Sequence, residues 1–131
     1  MANITGEKKK ILLVDDDEIH LTTAELFLKD EYEIHKTQSG AEALEFLQNN
    51  KPAPKLIMLD VMMPNMNGWE VFKKIRAIDF LKNIPIVFLT SEDDEEDKKR
   101  AQKLGAADYI IKPFNFTDLK RRIKDVITKT K

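Results

Sequence analysis

Cysteine is absent from this 131-residue chain. Its absence excludes disulfides, thiolate metal sites and a cysteine nucleophile, and suits a reducing compartment. The expected localisation is therefore cytoplasmic. No apolar run approaches the ~20 residues of a membrane-spanning helix. The start, Met1-Ala2-Asn3-Ile4-Thr5-Gly6-Glu7-Lys8, lacks the apolar stretch of a signal peptide. Charge of one sign is also missing. Twenty-two Lys and Arg face 23 Asp and Glu, a net charge of −1. That leaves no electrostatic case for nucleic-acid or membrane binding. There is no internal repeat and no low-complexity linker. The length suits one domain with one core. A composition of 42% hydrophobic and 34% charged residues is ordinary for a soluble globular protein. Residues 1–8 read as a flexible tail and 9–131 as the domain.

Short apolar runs alternate with amphipathic stretches. Strands are expected at residues 10–14, 33–36, 55–59, 84–89 and 108–111. Three of these runs are nearly all apolar, as strands covered on both faces should be. Residues 33–36 are more polar and suit an edge. Helices are expected at 17–29, 40–49, 68–77, 93–104 and 116–130. The apolar face of the first is expected to hold Ile19, Thr22, Leu26 and Phe27. The second carries Ala43, Leu44 and Leu47, with Ser39 as N-cap and Glu42 three residues on. The third carries Val71, Phe72 and Ile75. The fourth ends at Gly105. The fifth carries Leu119, Ile123, Val126 and Ile127. Strands alternating with helices give a doubly wound, five-stranded parallel sheet with right-handed crossovers, an α/β flavodoxin-like three-layer sandwich. The order 2-1-3-4-5 is the natural candidate, and it sets the first and third strands side by side at the switch point.

The strand ends carry the chemistry. Asp15-Asp16-Asp17 follows Ile11-Leu12-Leu13-Val14. Asp60 follows Leu56-Ile57-Met58-Leu59. Thr90-Ser91 follows Ile86-Val87-Phe88-Leu89, and Lys112-Pro113 ends the fifth strand. Mg²⁺ takes one or two carboxylates plus phosphate oxygens and keeps several waters. Asp16 and Asp60 can supply the carboxylates, with Asp15 holding a water or supporting the ligands from behind. A carboxylate can also act as nucleophile toward a phosphoryl group. A hydroxyl and an ammonium would then meet the new phosphate oxygens. Each element also has a plainer reading. One of Asp15, Asp16 and Asp17 can cap the first helix, and Thr90-Ser91 can cap the fourth. Lys112 can be a solvated turn residue, and Asp60 can bond nearby amides. Their coincidence at one sheet edge favours a site.

At these residues the chain resembles the receiver domain of two-component response regulators, the chemotaxis-type fold. The matching stretches are Ile11 to Asp17, Leu59-Asp60-Val61-Met62-Met63-Pro64-Asn65-Met66-Asn67-Gly68, Ile84 to Ser91, and Gly105 to Phe114. The resemblance covers roughly residues 9 to 130. It implies that Asp60 accepts phosphate from a histidine kinase or histidine phosphotransfer protein. It implies that Asp15, Asp16, Asp60 and the backbone carbonyl of Met62 hold Mg²⁺ (or Mn²⁺). Thr90 is then the switch hydroxyl, Lys112 the phosphoryl-pairing lysine and Tyr109 the switch aromatic. The Lys112-Pro113 bond is expected to be cis. The chain would be a signalling switch, not an enzyme, catalysing only its own phosphorylation and dephosphorylation. Its output face would be helix 4, strand 5 and helix 5, with an unidentified downstream protein as partner and a monomer or phosphorylation-linked dimer as its state. Both a single-domain regulator and a piece of a longer regulator or hybrid kinase fit these residues.

Three smaller signals and three rival readings complete the picture. The run from Glu92 to Asp97, followed by Lys98, Lys99, Arg100 and Lys103, complements a helix dipole, or else marks a charged docking surface. Glu92 and Met62 are expected to flank the pocket and tune phosphate lifetime. Apolar Met62 cannot orient a water, so no fast self-dephosphorylation is expected. Trp69 is either a buried helix anchor or a fluorescent reporter of the site. A haloacid dehalogenase-type phosphohydrolase needs a second Asp two residues after the nucleophile, where this chain has Met62. A receiver-like module that takes no phosphate would not need Asp15, Asp16, Asp60, Thr90 and Lys112 together. A flavodoxin-like nucleotide binder needs a Gly-rich phosphate loop, where this chain has acid.

Overall fold

The computed structural model describes residues 8–91 and 93–129. The elements are β1 (Lys9–Val14), α1 (Glu18–Leu28), β2 (Tyr32–Thr37), α2 (Gly40–Asn49), β3 (Leu56–Asp60), α3 (Gly68–Arg76), a 3-10 turn (Asp79–Leu81), β4 (Ile86–Thr90), α4 (Glu95–Leu104), β5 (Asp108–Ile111) and α5 (Phe116–Lys129). The strands form one sheet in the order β2-β1-β3-β4-β5, and every pairing is parallel. This is the doubly wound arrangement expected of alternating strands and helices. The polar β2 lies at an edge, where ladder groups on one side are free of a partner strand.

Side chains alternate across the sheet because strand residues point to opposite faces in turn. Leu12, Val14, Ile57, Leu59, Ile86 and Phe88 join residues of α2, α3 and α4 in one buried cluster. Ile11, Leu13, Met58, Val87 and Leu89 join residues of α1 and α5 in the other. Two apolar cores thus flank the sheet and make three layers. Helix starts are set by local caps. The Asp17 carboxylate accepts from Ile19 N–H at 2.9 Å, and Ser39 accepts from Glu42 N–H at 3.1 Å. Asn67 and Glu70 form a reciprocal capping box at α3, which satisfies two otherwise orphaned amides.

Two expectations need correction. The buried face of α1 is Leu21, Ala24 and Leu28. Ile19, Leu26 and Phe27 are 74%, 59% and 47% exposed, and Thr22 is exposed as well. This short helix is apolar on more than one side, so periodicity admits two faces. Small Ala24 sits centrally on the face that packs against the sheet. The second correction concerns α4. It starts at Glu95 and is capped by Asp94, which accepts from Glu96 N–H at 2.9 Å. Thr90 and Ser91 therefore do not cap it. Thr90 instead ends β4, fully buried. Helix α4 ends as expected on Gly105, at φ 89°, where the absence of a Cβ relieves the left-handed conformation. Lys8, assigned to the tail from sequence, donates to the Lys29 carbonyl at 2.8 Å. Residues 1–7, Glu92, Thr130 and Lys131, and the expectations placed on them, lie outside the described residues.

Candidate functional site

Strand register assembles the site. Val14 pairs with Leu59, Asp60 with Leu89 and Thr90 with Ile111. The residues that follow or end these strands, Asp15, Asp60, Thr90 and Lys112, therefore gather at the carboxyl edge of the sheet. Oxygens of Asp15, Asp16 and Asp60 all lie within 4.8 Å of one another. Asp15 and Asp60 are buried and Asp16 is exposed. Three convergent carboxylate oxygens are a donor set for a hard cation such as Mg²⁺. The fit is good: two ligands are held by strands, and the third, Asp16, faces solvent where a metal's remaining waters would sit.

The supporting bonds are specific. Asp15 Oδ1 accepts from Asp17 N–H at 2.9 Å, and Asp15 Oδ2 accepts from Lys112 Nζ at 2.9 Å. The Asp15 N–H in turn donates to the Thr37 carbonyl at 3.1 Å. Buried Thr37 donates its hydroxyl to the Leu13 carbonyl at 3.1 Å, tying the end of β2 to β1. The Lys112 N–H donates to the Thr90 carbonyl at 2.7 Å, and the Lys112-Pro113 bond is cis. Lys112 Nζ stands 4.0 Å from Asp60 Oδ1. That is an ion pair and not a hydrogen bond.

Burial pushes the Asp60 carboxyl up to about 6. The Lys112 ammonium and a hydrogen bond from the Met62 backbone oppose that rise, while Asp15 and Asp16 add to it. Desolvation and like charges disfavour the ionised form, as they must when three carboxylates crowd together. At neutral pH Asp60 is still mainly a carboxylate, able to act as a nucleophile or ligand. The loop after it is fixed from behind. Gly68 N–H donates to the Val61 carbonyl at 2.9 Å. A Cβ on Gly68 would stand 2.4 Å from the Asp60 carbonyl oxygen. Only glycine permits this approach, which docks the start of α3 directly behind Asp60.

Each sequence-predicted site residue can now be placed. Asp15, Asp16, Asp60 and Lys112 come together in one cluster. Thr90 is buried on the strand beside Asp60. Tyr109 is half-buried on β5, its ring 6.4 Å from that of Phe88. The Met62 side chain is 57% exposed, so the position two after Asp60 brings no second carboxylate to the cluster. Trp69 is buried and packs on Phe88 at 4.7 Å, with the Arg100 guanidinium 4.4 Å above its ring. Of its two readings, the buried anchor is the structural one. Sequence reasoning missed His20, whose Nδ1 lies 3.2 Å from Lys112 Nζ and 3.4 Å from Asp15 Oδ2. The available signal was its position three residues after the capping Asp17, which places both on one helix face. It also missed Thr37 and the Asn67–Glu70 box.

Comparison with known proteins agrees with this geometry. The family model described as "Response regulator receiver domain" matches residues 11–124. The alkaline phosphatase synthesis transcriptional regulatory protein PhoP of Bacillus subtilis is 38% identical over 123 residues, covering 93% of this chain and 50% of that protein. The transcriptional regulatory protein CrdR of Helicobacter pylori is 40% identical over 118 residues, covering 89% of this chain and 54% of that protein. The chain thus spans about half the length of these relatives. Among solved structures, a putative response regulator from Chloroflexus aurantiacus superposes with a TM-score of 0.86 at 32% identity, covering 93% of this chain and 99% of that one. The chemotaxis protein CheY4 of Vibrio cholerae gives 0.84 at 33% identity, covering 91% and 98%. No helix among the described residues is long and apolar enough to cross a membrane. Receiver domains bind Mg²⁺ at an acidic pocket and work with histidine kinases or phosphotransfer proteins, and Asp15, Asp16 and Asp60 form an acidic cluster here. The family match, the shared fold and the clustered strand-end residues agree: this chain belongs to the response regulator receiver domain family of two-component signalling.

Proposed function

We propose that Asp60 is the phosphoacceptor, that Asp15, Asp16, Asp60 and the Met62 carbonyl hold Mg²⁺ (Mn²⁺ being the alternative ion), and that Thr90, Lys112 and Tyr109 form the switch. The observation that carries this reading is the single cluster. Three aspartates at the carboxyl ends of β1 and β3 converge within 4.8 Å, with the Lys112 ammonium 2.9 Å from Asp15 and 4.0 Å from Asp60. A carboxylate oxygen of Asp60 attacks phosphorus, the phosphorus–nitrogen bond of a donor phosphohistidine breaks, and the leaving imidazole takes up a proton. When bound, the divalent ion offsets the negative charge of the phosphoryl oxygens and the carboxylates.

The phosphorylated side chain carries new charge and acceptor oxygens. Lys112 satisfies one oxygen by closing its gap to Asp60, and Thr90 satisfies another by moving toward it. That movement pulls on the segment leading into α4. Tyr109 responds through the space beside β4, and the face made by α4, β5 and α5 shifts between two populations. That face docks the downstream protein, in a monomer or a phosphorylation-linked dimer, with no direct role in nucleic-acid binding. The domain catalyses its own phosphorylation and dephosphorylation, the latter at no unusually fast rate. Exposed Met62 offers no hydrogen bond to an attacking water. Incubation with labelled acetyl phosphate and Mg²⁺ tests the assignment. The wild-type chain takes up label and Asp60→Asn takes up none. Label on Asp60→Asn at the wild-type level would remove Asp60 from this role.

A further inference from the structure

We propose that His20 is a positioning residue for Lys112, its Nδ1 accepting a hydrogen bond that holds the ammonium back from Asp60 before phosphorylation. The inference rests on the phosphoacceptor reading of Asp60. A lysine ammonium has three donors and no acceptor. A hydrogen bond across the 3.2 Å between the two groups therefore uses Nδ1 as its acceptor. The other nitrogen, Nε2, faces the Asp17 carboxylate at 3.5 Å, and Nδ1 also stands 3.4 Å from Asp15 Oδ2. The same Asp17 carboxylate caps α1 through Ile19 N–H. The cap thus fixes the helix start, and the helix start fixes the imidazole.

Lys112 is shared among three groups. One donor goes to Asp15 at 2.9 Å and one to His20 at 3.2 Å, while Asp60 remains at 4.0 Å. In the proposed switch the third donor turns to a phosphoryl oxygen on Asp60, and as the ammonium closes that 4.0 Å gap it moves off His20. His20 thereby favours the unphosphorylated arrangement, and losing its acceptor shifts the balance toward the phosphoryl-bound one. The side chain is half-exposed, at the rim of an apolar groove of about 440 Å³ between α1 and the start of α5. Its ring can be replaced there without opening the core.

The test is a titration with beryllofluoride in saturating Mg²⁺, followed by ¹⁹F NMR. Wild type is compared with His20→Leu, which fills the space without an acceptor, and with His20→Asn, whose amide oxygen sits near the place of Nδ1. The expected result is affinity about two- to fivefold tighter for His20→Leu, the worth of one exposed hydrogen bond, and wild-type affinity for His20→Asn. Unchanged or weaker affinity of His20→Leu overturns the proposal, as does His20→Asn behaving like His20→Leu. Asp60→Asn serves as the reference. If wild type binds no more beryllofluoride than Asp60→Asn, the phosphoacceptor reading itself fails, and this inference fails with it. Asp60-dependent binding without the His20 effect overturns this inference alone.

Discussion

Helices α3 and α4 cover the same face of the sheet, and each follows a strand that ends in a site residue, yet they are held very differently. Helix α3 buries Gly68, Trp69, Val71, Phe72 and Ile75 and starts with a capping box. Helix α4 buries only Ala101. Its charged side chains make local or peripheral contacts: Lys98 pairs with Asp93 and Glu95 at 3.6 and 3.5 Å, and Arg100 lies over Trp69. Elements with few buried apolar contacts open at lower free energy than core elements. The difference suits a division of labour. In the proposed switch α3 is the fixed platform behind Asp60, and α4 is the element that moves when Thr90 moves.

The largest effect that sharpens the contrast is expected inside α3. Phe72→Ala should lower unfolding free energy by about 3–5 kcal/mol in urea denaturation. A loss below about 1 kcal/mol would mean that α3 is not the rigid member of the pair. A second test acts on the site between the helices. Because the folded carboxyl of Asp60 titrates at about 6 against an ordinary 3.8, the folded protein binds its proton more tightly than the unfolded chain does. The resulting destabilisation is therefore absent below about pH 4, grows up to about pH 6, and is full above that. In metal-free buffer at pH 8, Asp60→Asn should be more stable by about 2 kcal/mol, with the gain gone at pH 4. Equal stability of the two proteins across that range would contradict the crowded-carboxylate picture. Adding Mg²⁺ should narrow the gap by stabilising only the wild type.

Smaller effects are expected in α4. Arg100→Ala should cost about 0.5–1 kcal/mol, the worth of an exposed cation–π contact. It should also raise hydrogen exchange of α4 amides while leaving α3 amides unchanged. Equal loosening of both helices would show that they behave as one unit. Replacing Asp94, Glu95 and Glu96 by neutral amides should cost a few tenths of a kcal/mol per charge through the helix dipole. If thermal stability holds while affinity for a captured partner falls, the acidic turn belongs to a docking surface.

Much of this was legible in the sequence because the signals were short-range. Buried strands were visible as unbroken apolar runs. The Ser39 cap and Gly105 stop were visible as local chemistry, and the strand order placed Asp15 and Asp60 in one crevice. What was not legible depended on packing. Helix α1 has apolar residues on two sides, so no periodicity argument separates Leu21, Ala24 and Leu28 from Ile19, Leu26 and Phe27. The acidic run before α4 offers several carboxylates able to cap, and only the backbone path selects Asp94. His20 and Thr37 act through contacts across 92 and 24 residues of chain, respectively; the spacing of His20 from Asp17 puts both on one helix face but does not point to Lys112.

The most direct test of the central claim is to locate the phosphoryl group itself. The protein is incubated with acetyl phosphate and Mg²⁺, trapped with borohydride, which converts an aspartyl phosphate to homoserine, and mapped by peptide mass spectrometry. The account predicts homoserine at position 60 and aspartate at positions 15 and 16. Homoserine at either of those positions, or an unmodified Asp60 after prolonged incubation, would contradict it.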